Sequence, residues 1–126
     1  MNLLLDTHIF LWALSDTDKL SSETIKLIQN EDNIVFVSVV TLWELQIKKS
    51  LGKIKLPKLF EENIPQYGYE ILNVNLNHVS KLNNLPMIHR DPFDRMLIAQ
   101  AKAEHLSLVT KDQDVLKYSK VTLIKG

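Results

Sequence analysis

Short apolar segments alternate with amphipathic ones along this chain, and this alternation constrains its fold more than any other feature. Strands are predicted at residues 3–5, 34–37, 71–74, 106–109 and 121–124. Helices are predicted between them, at residues 8–14, 22–29, 39–50, 58–67, from 75 or 77 to 85, and 92–105. Strands that alternate with helices form a parallel sheet with helices on both faces. The sequence therefore predicts an α/β fold.

The composition limits the class of protein. The chain has 126 residues, of which 45% are hydrophobic and 24% are charged, so we expect one globular domain over residues 1–126. The absence of cysteine excludes disulfides, thiolate metal sites and cysteine nucleophiles. The apolar runs are shorter than the roughly 20 residues of a membrane span, and the first residues lack the basic segment of a signal peptide. No membrane association and a cytoplasmic location are therefore expected.

The overall charge argues against one mode of nucleic-acid binding. Fifteen basic and fifteen acidic residues give a formal net charge of zero. A protein that binds nucleic acid through its global charge would be strongly basic. A local basic patch is still compatible with this sequence.

Acidic residues follow the predicted strands at the points where ligands bind to open parallel sheets. Asp6 follows the first strand, Glu44 lies in the helix after the second, and Asp112 follows the fourth. Asp94 lies in the first turn of the helix that leads into the fourth strand. All four are expected at the carboxyl edge of the sheet. Crowded carboxylates repel unless a cation neutralises them, and oxygen ligands alone suit Mg²⁺ or Mn²⁺ rather than Zn²⁺.

Each acidic residue also has a purely structural explanation. Asp6 and Asp94 can act as a cap and as a first-turn charge of their helices. Asp91 precedes Pro92 at a predicted helix start, and a capping role for it is favoured over a catalytic one. Ordinary surface or turn positions would account for the others, which are Glu44, Asp112 and Asp114. The joint placement at one edge favours the metal site.

Four segments of this sequence resemble the four motifs of PIN-domain nucleases, in the same order and across nearly the whole chain. They are LLLDTH at 3–8, SVVTLWEL at 38–45, DRMLIAQA at 94–101 and LVTKD at 108–112. No single motif is specific, but the four together are. The short chain is similar to the VapC-type toxins of toxin–antitoxin pairs.

This resemblance implies a three-layer PIN fold with the parallel strand order 3-2-1-4-5. It implies Mg²⁺- or Mn²⁺-dependent cleavage of RNA, in which water activated by the metal attacks the scissile phosphorus. It also implies inhibition by a cognate antitoxin and, in most members, a homodimer. Carried over residue by residue, the metal ligands would be Asp6, Glu44, Asp94 and Asp112. Supporting or accessory positions at this edge would be Thr110, Asp91, Asp114 and Ser38.

Contacts to RNA phosphates are expected from a few local cations. Lys48 and Lys49 open a lysine-rich stretch without acids, and Arg90 and Arg95 flank the third motif. A solvated loop is the slightly favoured explanation of the lysines, and Arg95 could instead pair with a neighbouring carboxylate. Large apolar residues near the motifs, Leu11, Trp12, Trp43 and Ile47, belong either to the core or to a dimer or antitoxin surface.

Three other functions fit this sequence less well. A phosphatase of the haloacid dehalogenase type needs a second aspartate two positions after the first, where this chain has His8. A receiver domain needs a phosphorylated aspartate after the third strand, where this chain has Val74 and Asn75. A catalytically silent PIN domain that acts only as an interaction module would normally have lost acidic positions, and all four are present here.

Overall fold

A parallel five-stranded sheet forms the centre of the molecule. The structure is a computed structural model that describes residues 1–88, 91–118 and 123–126. Within them the strand order is β3-β2-β1-β4-β5, with every neighbouring pair parallel. The strands are β1 (Asn2–Leu5), β2 (Ile34–Ser38), β3 (Tyr69–Leu72), β4 (Ser107–Thr110) and β5 (Leu123–Lys125). This confirms the α/β fold and the strand order that the resemblance implied.

The central strand β1 is buried on both faces of the sheet. Leu3 pairs with Val35 of β2 on one side and with Ser107 of β4 on the other. Successive side chains of a strand point to opposite faces. Leu3 accordingly packs in one hydrophobic cluster and Leu4 in another. A strand covered on both faces needs an unbroken apolar sequence, which explains the leucine triplet at residues 3–5.

Helices cover both faces. They are α1 (Thr7–Ser15), α2 (Ser22–Gln29), α3 (Val39–Ser50), α4 (Leu76–Lys81) and α5 (Pro92–Glu104). The first face packs apolar residues of α1 and α2 against β1 and β2, while the second packs α5 against β1 and β4. No helix of the described residues is long and apolar enough to span a bilayer.

Side chains cap these helices, as the sequence predicted for Asp6 and Asp91. Asp6 accepts a hydrogen bond from the backbone of Ile9 at 2.9 Å, which satisfies one of the free N–H groups of α1. Ser21, Ser38, Asn75 and Asp91 cap the helices α2 to α5 in the same way. The caps fix where each helix leaves the strand or loop before it.

The segment between α3 and β3 differs from the prediction. The predicted helix at 58–67 is wrong, because turns occupy 58–63 and a short 3-10 helix covers Ile64–Tyr67. Pro65 has no N–H to donate within a helix, and Leu59 adopts a positive φ of 58°. Gly68, with a φ of 87°, ends the 3-10 helix, so β3 begins two residues earlier than predicted.

Smaller differences occur at other boundaries. The helix predicted to reach residue 85 ends at Lys81 and continues as a 3-10 turn over Leu82–Asn84. The fourth strand begins at Ser107, one residue later than predicted. A short 3-10 helix covers Val115–Lys117 after the fourth strand. Residues 121 and 122 of the predicted fifth strand lie outside the described residues, and β5 continues to Lys125.

Candidate functional site

The carboxyl ends of β1 and β4 bring Asp6 and Asp112 to one edge of the sheet. Asp6 follows β1 directly and is 4% exposed, while Asp112 lies two residues after β4. The two strands are parallel neighbours, with Leu5 paired to Val109. The hydroxyl of Thr110 bonds both to Oδ2 of Asp6 and to the backbone N–H of Asp112, so the two residues are neighbours at this edge. Their role as metal ligands stays a prediction.

Hydrogen bonds hold both oxygens of Asp6. The backbone of Ile9 donates to Oδ1 at 2.9 Å, and the hydroxyl of Thr110 donates to Oδ2 at 2.5 Å. Burial raises the pKa of Asp6 above its ordinary value, although these two hydrogen bonds and the nearby His8 oppose the rise. Because the ionised form of Asp6 is disfavoured by burial, this side chain would gain from a cation placed beside it.

Thr110 connects Asp6 to Asp112. Its hydroxyl is fully buried, donates to Asp6 and accepts a hydrogen bond from the backbone of Asp112 at 3.0 Å. Asp112 in turn accepts from the backbones of Asp114 and Val115 at 2.8 and 3.1 Å through Oδ1. These bonds fix the turn after β4 and set the position of the Asp112 carboxylate relative to Asp6.

Glu44 is held by side chains on both of its oxygens. It lies on α3 and is 8% exposed. The hydroxyl of Thr7 donates to Oε1 at 2.7 Å and lies 3.3 Å from the hydroxyl of Thr41. The ammonium of Lys48, one helical turn further on, lies 3.0 Å from Oε2. Thr7 follows Asp6 in the chain, so Glu44 is tied to the residue next to Asp6.

The first turn of α5 carries Asp91 and Asp94. Asp91 caps the helix and accepts from the backbones of Phe93 and Asp94 at 2.8 and 3.2 Å, as predicted. Asp94 is partly buried within the first turn. The rings of Phe93 and Trp43 meet edge-on with their centroids 5.0 Å apart. This contact places the start of α5 beside the segment of α3 that carries Glu44.

The family model of the PIN domain matches residues 3–121 of this sequence. The chain belongs to the PIN domain family. The resemblance seen in the four motifs is thereby confirmed, and the match runs from Leu3 in β1 through β4, ending before β5. No curated protein matches this sequence closely enough to count as a relative.

Solved structures share the fold of this PIN domain. One is VapBC2 from Rickettsia felis bound to a DNA fragment from its promoter, with a TM-score of 0.72, 21% identity, and coverage of 98% of this chain and 97% of the other. Another is VapBC-5 from Mycobacterium tuberculosis, a member of a family of toxin–antitoxin systems, with a TM-score of 0.63, 20% identity, and coverage of 99% and 98%. At these identities the likeness establishes the fold of this chain and no more.

The donor set of this PIN domain fits a hard divalent cation in its chemistry. The side chains at the edge offer carboxylate oxygens, and the ammonium of Lys48 already places a positive charge on Glu44. Within the described part of the chain, no three acidic or histidine side chains lie close enough to enclose an ion. Mg²⁺ commonly keeps several bound waters and takes only one or two carboxylates from the protein, so it does not require three side chains close together.

The remaining predicted residues fall into structural positions. Ser38 is fully buried and caps α3 through a hydrogen bond from Val40 at 3.0 Å. Asp114 pairs with Lys117 at 3.2 Å on the surface. The backbone of Asp114 contacts the Asp112 carboxylate, but the carboxylate of Asp114 itself pairs with Lys117. Their accessory roles stay predictions.

The basic residues predicted to contact RNA phosphates differ in their surroundings. Arg95 donates to the carbonyl of Pro86 at 2.9 Å and lies 3.3 Å from the hydroxyl of Tyr118, so it fastens the loop before α5. Lys49 is exposed at the end of α3. Lys48 pairs with Glu44 rather than projecting away from the site. Arg90 lies outside the described residues.

The large apolar residues near the motifs divide between core and surface. Leu11 and Trp12 are half-buried against the first cluster, whereas Trp43 is 63% exposed. Trp43 lines an apolar cavity of about 570 Å³. Its other lining residues are Val39, Val40, Val74, Leu82, Pro92, Phe93 and Met96. Part of this set is therefore a surface feature and not core.

Two contacts of the site were not predicted from the sequence. Thr7, which also lies beside Thr41, donates to Glu44, and nothing in the separation of Thr7 from Glu44 along the chain indicated this contact. The pairing of Glu44 with Lys48 did carry a signal, because residues four positions apart on a helix are neighbours.

Proposed function

We propose that this PIN domain is a metal-dependent endoribonuclease, the toxin of a toxin–antitoxin pair, and that residues 1–126 form one functional domain. One observation supports the proposal above the others. A buried carboxylate with a raised pKa, Asp6, lies beside Asp112 at the carboxyl edge of a parallel sheet in a member of the PIN family. Perturbed carboxylates of this kind are typical of catalytic sites.

We assign the metal to the carboxylates of the edge, namely Asp6, Glu44, Asp94 and Asp112. A bound Mg²⁺ or Mn²⁺ would supply acidity to water and positive charge to the phosphate oxygens during hydrolysis. Thr110 orients Asp6 and keeps Asp112 at a fixed position next to it. Thr7 orients Glu44. These hydroxyls hold the carboxylates in place before substrate arrives, which lowers the reorganisation that the reaction requires.

The proposed partners are an RNA substrate, a cognate antitoxin and a second copy of the chain, in the cytoplasm. The two solved structures compared above are VapBC assemblies, one of them a member of a family of toxin–antitoxin systems, which supports an antitoxin here. The zero net charge leaves phosphate binding to local groups. Lys49, Arg90 and Arg95 are the candidates for it, and Arg95 already lies in the first turn of α5.

Cleavage of total RNA by purified, antitoxin-free protein tests this function. We expect discrete products in Mn²⁺ or Mg²⁺, none in EDTA, and none from Asp6→Asn in either metal. Asp18→Asn is the matched control, because Asp18 is an exposed aspartate in the 3-10 turn Thr17–Lys19 and should leave the products unchanged.

Two results would contradict the proposal. Products that persist in EDTA or in Asp6→Asn would place the activity elsewhere or in a contaminant. Folded protein that neither cleaves RNA nor binds the metal would favour a catalytically silent PIN domain that acts as an interaction module.

A further inference from the structure

Lys48 occupies a position in the site that the proposed function does not explain. Its ammonium lies 3.0 Å from Oε2 of Glu44, while Thr7 donates to Oε1. The side chain of Glu44 is 11% exposed and that of Lys48 is 30% exposed. A buried carboxylate of the proposed metal centre is therefore already neutralised by a cation of the chain itself.

A divalent cation and the ammonium of Lys48 compete for the same carboxylate oxygen. At 3.0 Å the ammonium takes one of the lone-pair directions of Oε2 through which Glu44 would bind a metal. Two cations on one carboxylate also repel, and in a partly buried site this repulsion is only partly screened. Binding of metal at Oε2 therefore favours departure of the ammonium.

The position of Lys48 makes such a departure inexpensive. Lys48 and Glu44 are four residues apart on α3, and partly exposed pairs with this spacing are weak. The lysine stem is flexible and reaches solvent, so the ammonium can regain its hydration when it swings away. Thr7 keeps the other oxygen of Glu44 fixed during that exchange.

We propose that Lys48 is a built-in counter-ion that competes with the divalent cation for Glu44 and so lowers the metal affinity of the site. Without metal, Lys48 neutralises Glu44. With metal bound, the ammonium would be released from Glu44, and Lys48 itself lies one helical turn after Glu44 on α3. This inference rests on the proposed function only in taking Glu44 as a metal ligand.

Calorimetric titration of Mn²⁺ into metal-free protein tests the inference without RNA. The variants are Lys48→Gln, which removes the charge, and Lys48→Arg, which keeps it. Lys49→Gln is the matched control, because it removes the same charge from the next residue of α3, which is exposed and makes no ion pair with any described residue. Melting in EDTA shows that each variant is folded.

We expect Lys48→Gln to bind Mn²⁺ about tenfold more tightly than the wild type, as the loss of a unit positive charge next to a ligand predicts. Lys49→Gln and Lys48→Arg should stay within about twofold of the wild type, since one charge lies farther away and the other is retained. Tighter Mn²⁺ binding by Lys48→Gln, including binding where the wild type shows none, supports the counter-ion role of Lys48.

The remaining outcomes separate the inference from the proposed function. If the wild type binds Mn²⁺ and Lys48→Gln binds it equally or more weakly, the counter-ion role of Lys48 is contradicted, while the proposed metal centre is not. If neither the wild type nor Lys48→Gln binds Mn²⁺, both the counter-ion and the metal-dependent function are wrong.

Discussion

The side chain of Asp6 caps a helix and also carries a charge that burial disfavours. Through Oδ1 it caps α1, and through Oδ2 it accepts from Thr110 of β4. Burial raises its pKa, which means that folding favours its protonated form. Without a cation the ionised carboxylate therefore opposes folding, even though its hydrogen bonds are satisfied.

Replacement of Asp6 by asparagine should stabilise the metal-free protein at neutral pH. Asparagine also caps helices well, so its Oδ1 keeps the bond from Ile9, and its Nδ2 donates to the Thr110 hydroxyl in place of the bond that Thr110 donates to Asp6, while the buried charge is removed. We expect the melting temperature in EDTA at pH 7 to rise by about 3–6 °C, equivalent to about 1 kcal/mol in a chain of this size. Differential scanning calorimetry measures it, with Asp18→Asn as the control that should show no gain.

The gain should depend on pH in a defined direction. The folded-state pKa of Asp6 is raised above its ordinary value of 3.8, so the folded protein holds the proton more tightly than the unfolded chain. The stability contributed by protonated Asp6 is present below 3.8 and is lost as pH rises through the folded-state pKa. The advantage of Asp6→Asn should therefore shrink as pH falls toward 3.8. An advantage that grows on acidification would contradict this account.

At the residue scale, the sequence predicted that Asp6 and Asp112 lie near each other, but it did not predict the hydrogen-bond partners of the carboxylates. Asp6 and Asp112 follow adjacent strands, so topology alone brings them together. The hydrogen bond from Thr7 to Glu44 depends on side-chain rotamers and on the approach of α1 to α3, which no local pattern encodes. Lys48 was predicted to contact RNA, but its helical spacing from Glu44 was the more informative feature.

At the scale of elements, α5 begins at a point that three features fix together. Asp91 caps it with two backbone hydrogen bonds, and Pro92 occupies the first turn, where its missing N–H is not needed. The edge-on contact of Phe93 with Trp43 then holds this end against α3. Since Asp94 lies in the same turn, the cap also sets the position of a proposed metal ligand.

Loss of the Asp91 cap should destabilise the protein. We expect Asp91→Ala to lower the free energy of unfolding by about 1 kcal/mol, because two backbone N–H groups lose their acceptor, and Asp91→Asn to retain most of it. Urea unfolding followed by circular dichroism measures both. If Asp91→Asn were as unstable as Asp91→Ala, the negative charge of Asp91 and not its capping geometry would be the source of stability.

The elements predicted correctly are those in which the capping residues and the spacing of apolar residues indicate the same boundaries. The strands β1 and β2 and the helices α2 and α3 lie within one or two residues of their predicted bounds. The stretch from 58 to 67 contains two signals in conflict, an apolar pattern of helical type and Pro65 within it. The turns placed there bury Phe60 and Ile64 in the first cluster, so tertiary packing and not a helix uses the apolar pattern.

At the scale of the whole molecule, charge neutrality limits how the proposed RNA substrate could be bound. Equal numbers of acidic and basic residues leave no net attraction for a polyanion. Affinity then depends on a few phosphate contacts and on whatever cation the carboxylates bind. A protein of this kind is expected to be less sensitive to salt than a strongly basic RNA-binding protein.

Binding of single-stranded RNA by the cleavage-deficient Asp6→Asn variant should show this weak dependence. We expect a slope of log affinity against log salt of about −2 to −3, which corresponds to about three or four neutralised phosphates. Fluorescence anisotropy with a labelled RNA over a range of KCl measures it. A slope of about −6 or steeper would reveal an extended cationic face, which the composition argues against.

The sheet order was predicted from the resemblance to PIN domains and not from the strands themselves. Alternation of strands and helices predicts a parallel sheet, but five short apolar segments fit several strand orders. What fixes β1 at the centre is the fully buried leucine triplet at residues 3–5, flanked by β2 and β4. Such burial on both faces and both edges becomes visible only in the folded structure.

The central position of β1 also bears on how the protein comes into being during translation. Asp6 receives the hydroxyl of Thr110, a residue 104 positions later in the chain. A growing polypeptide carries β1 with one edge unpaired until β4 has been synthesised, and domains fold as units once their parts are available. The carboxylate pair is therefore completed only after β4 has been synthesised. Nascent or prematurely terminated chains that end before β4 lack this pair, and with it any site that needs both carboxylates.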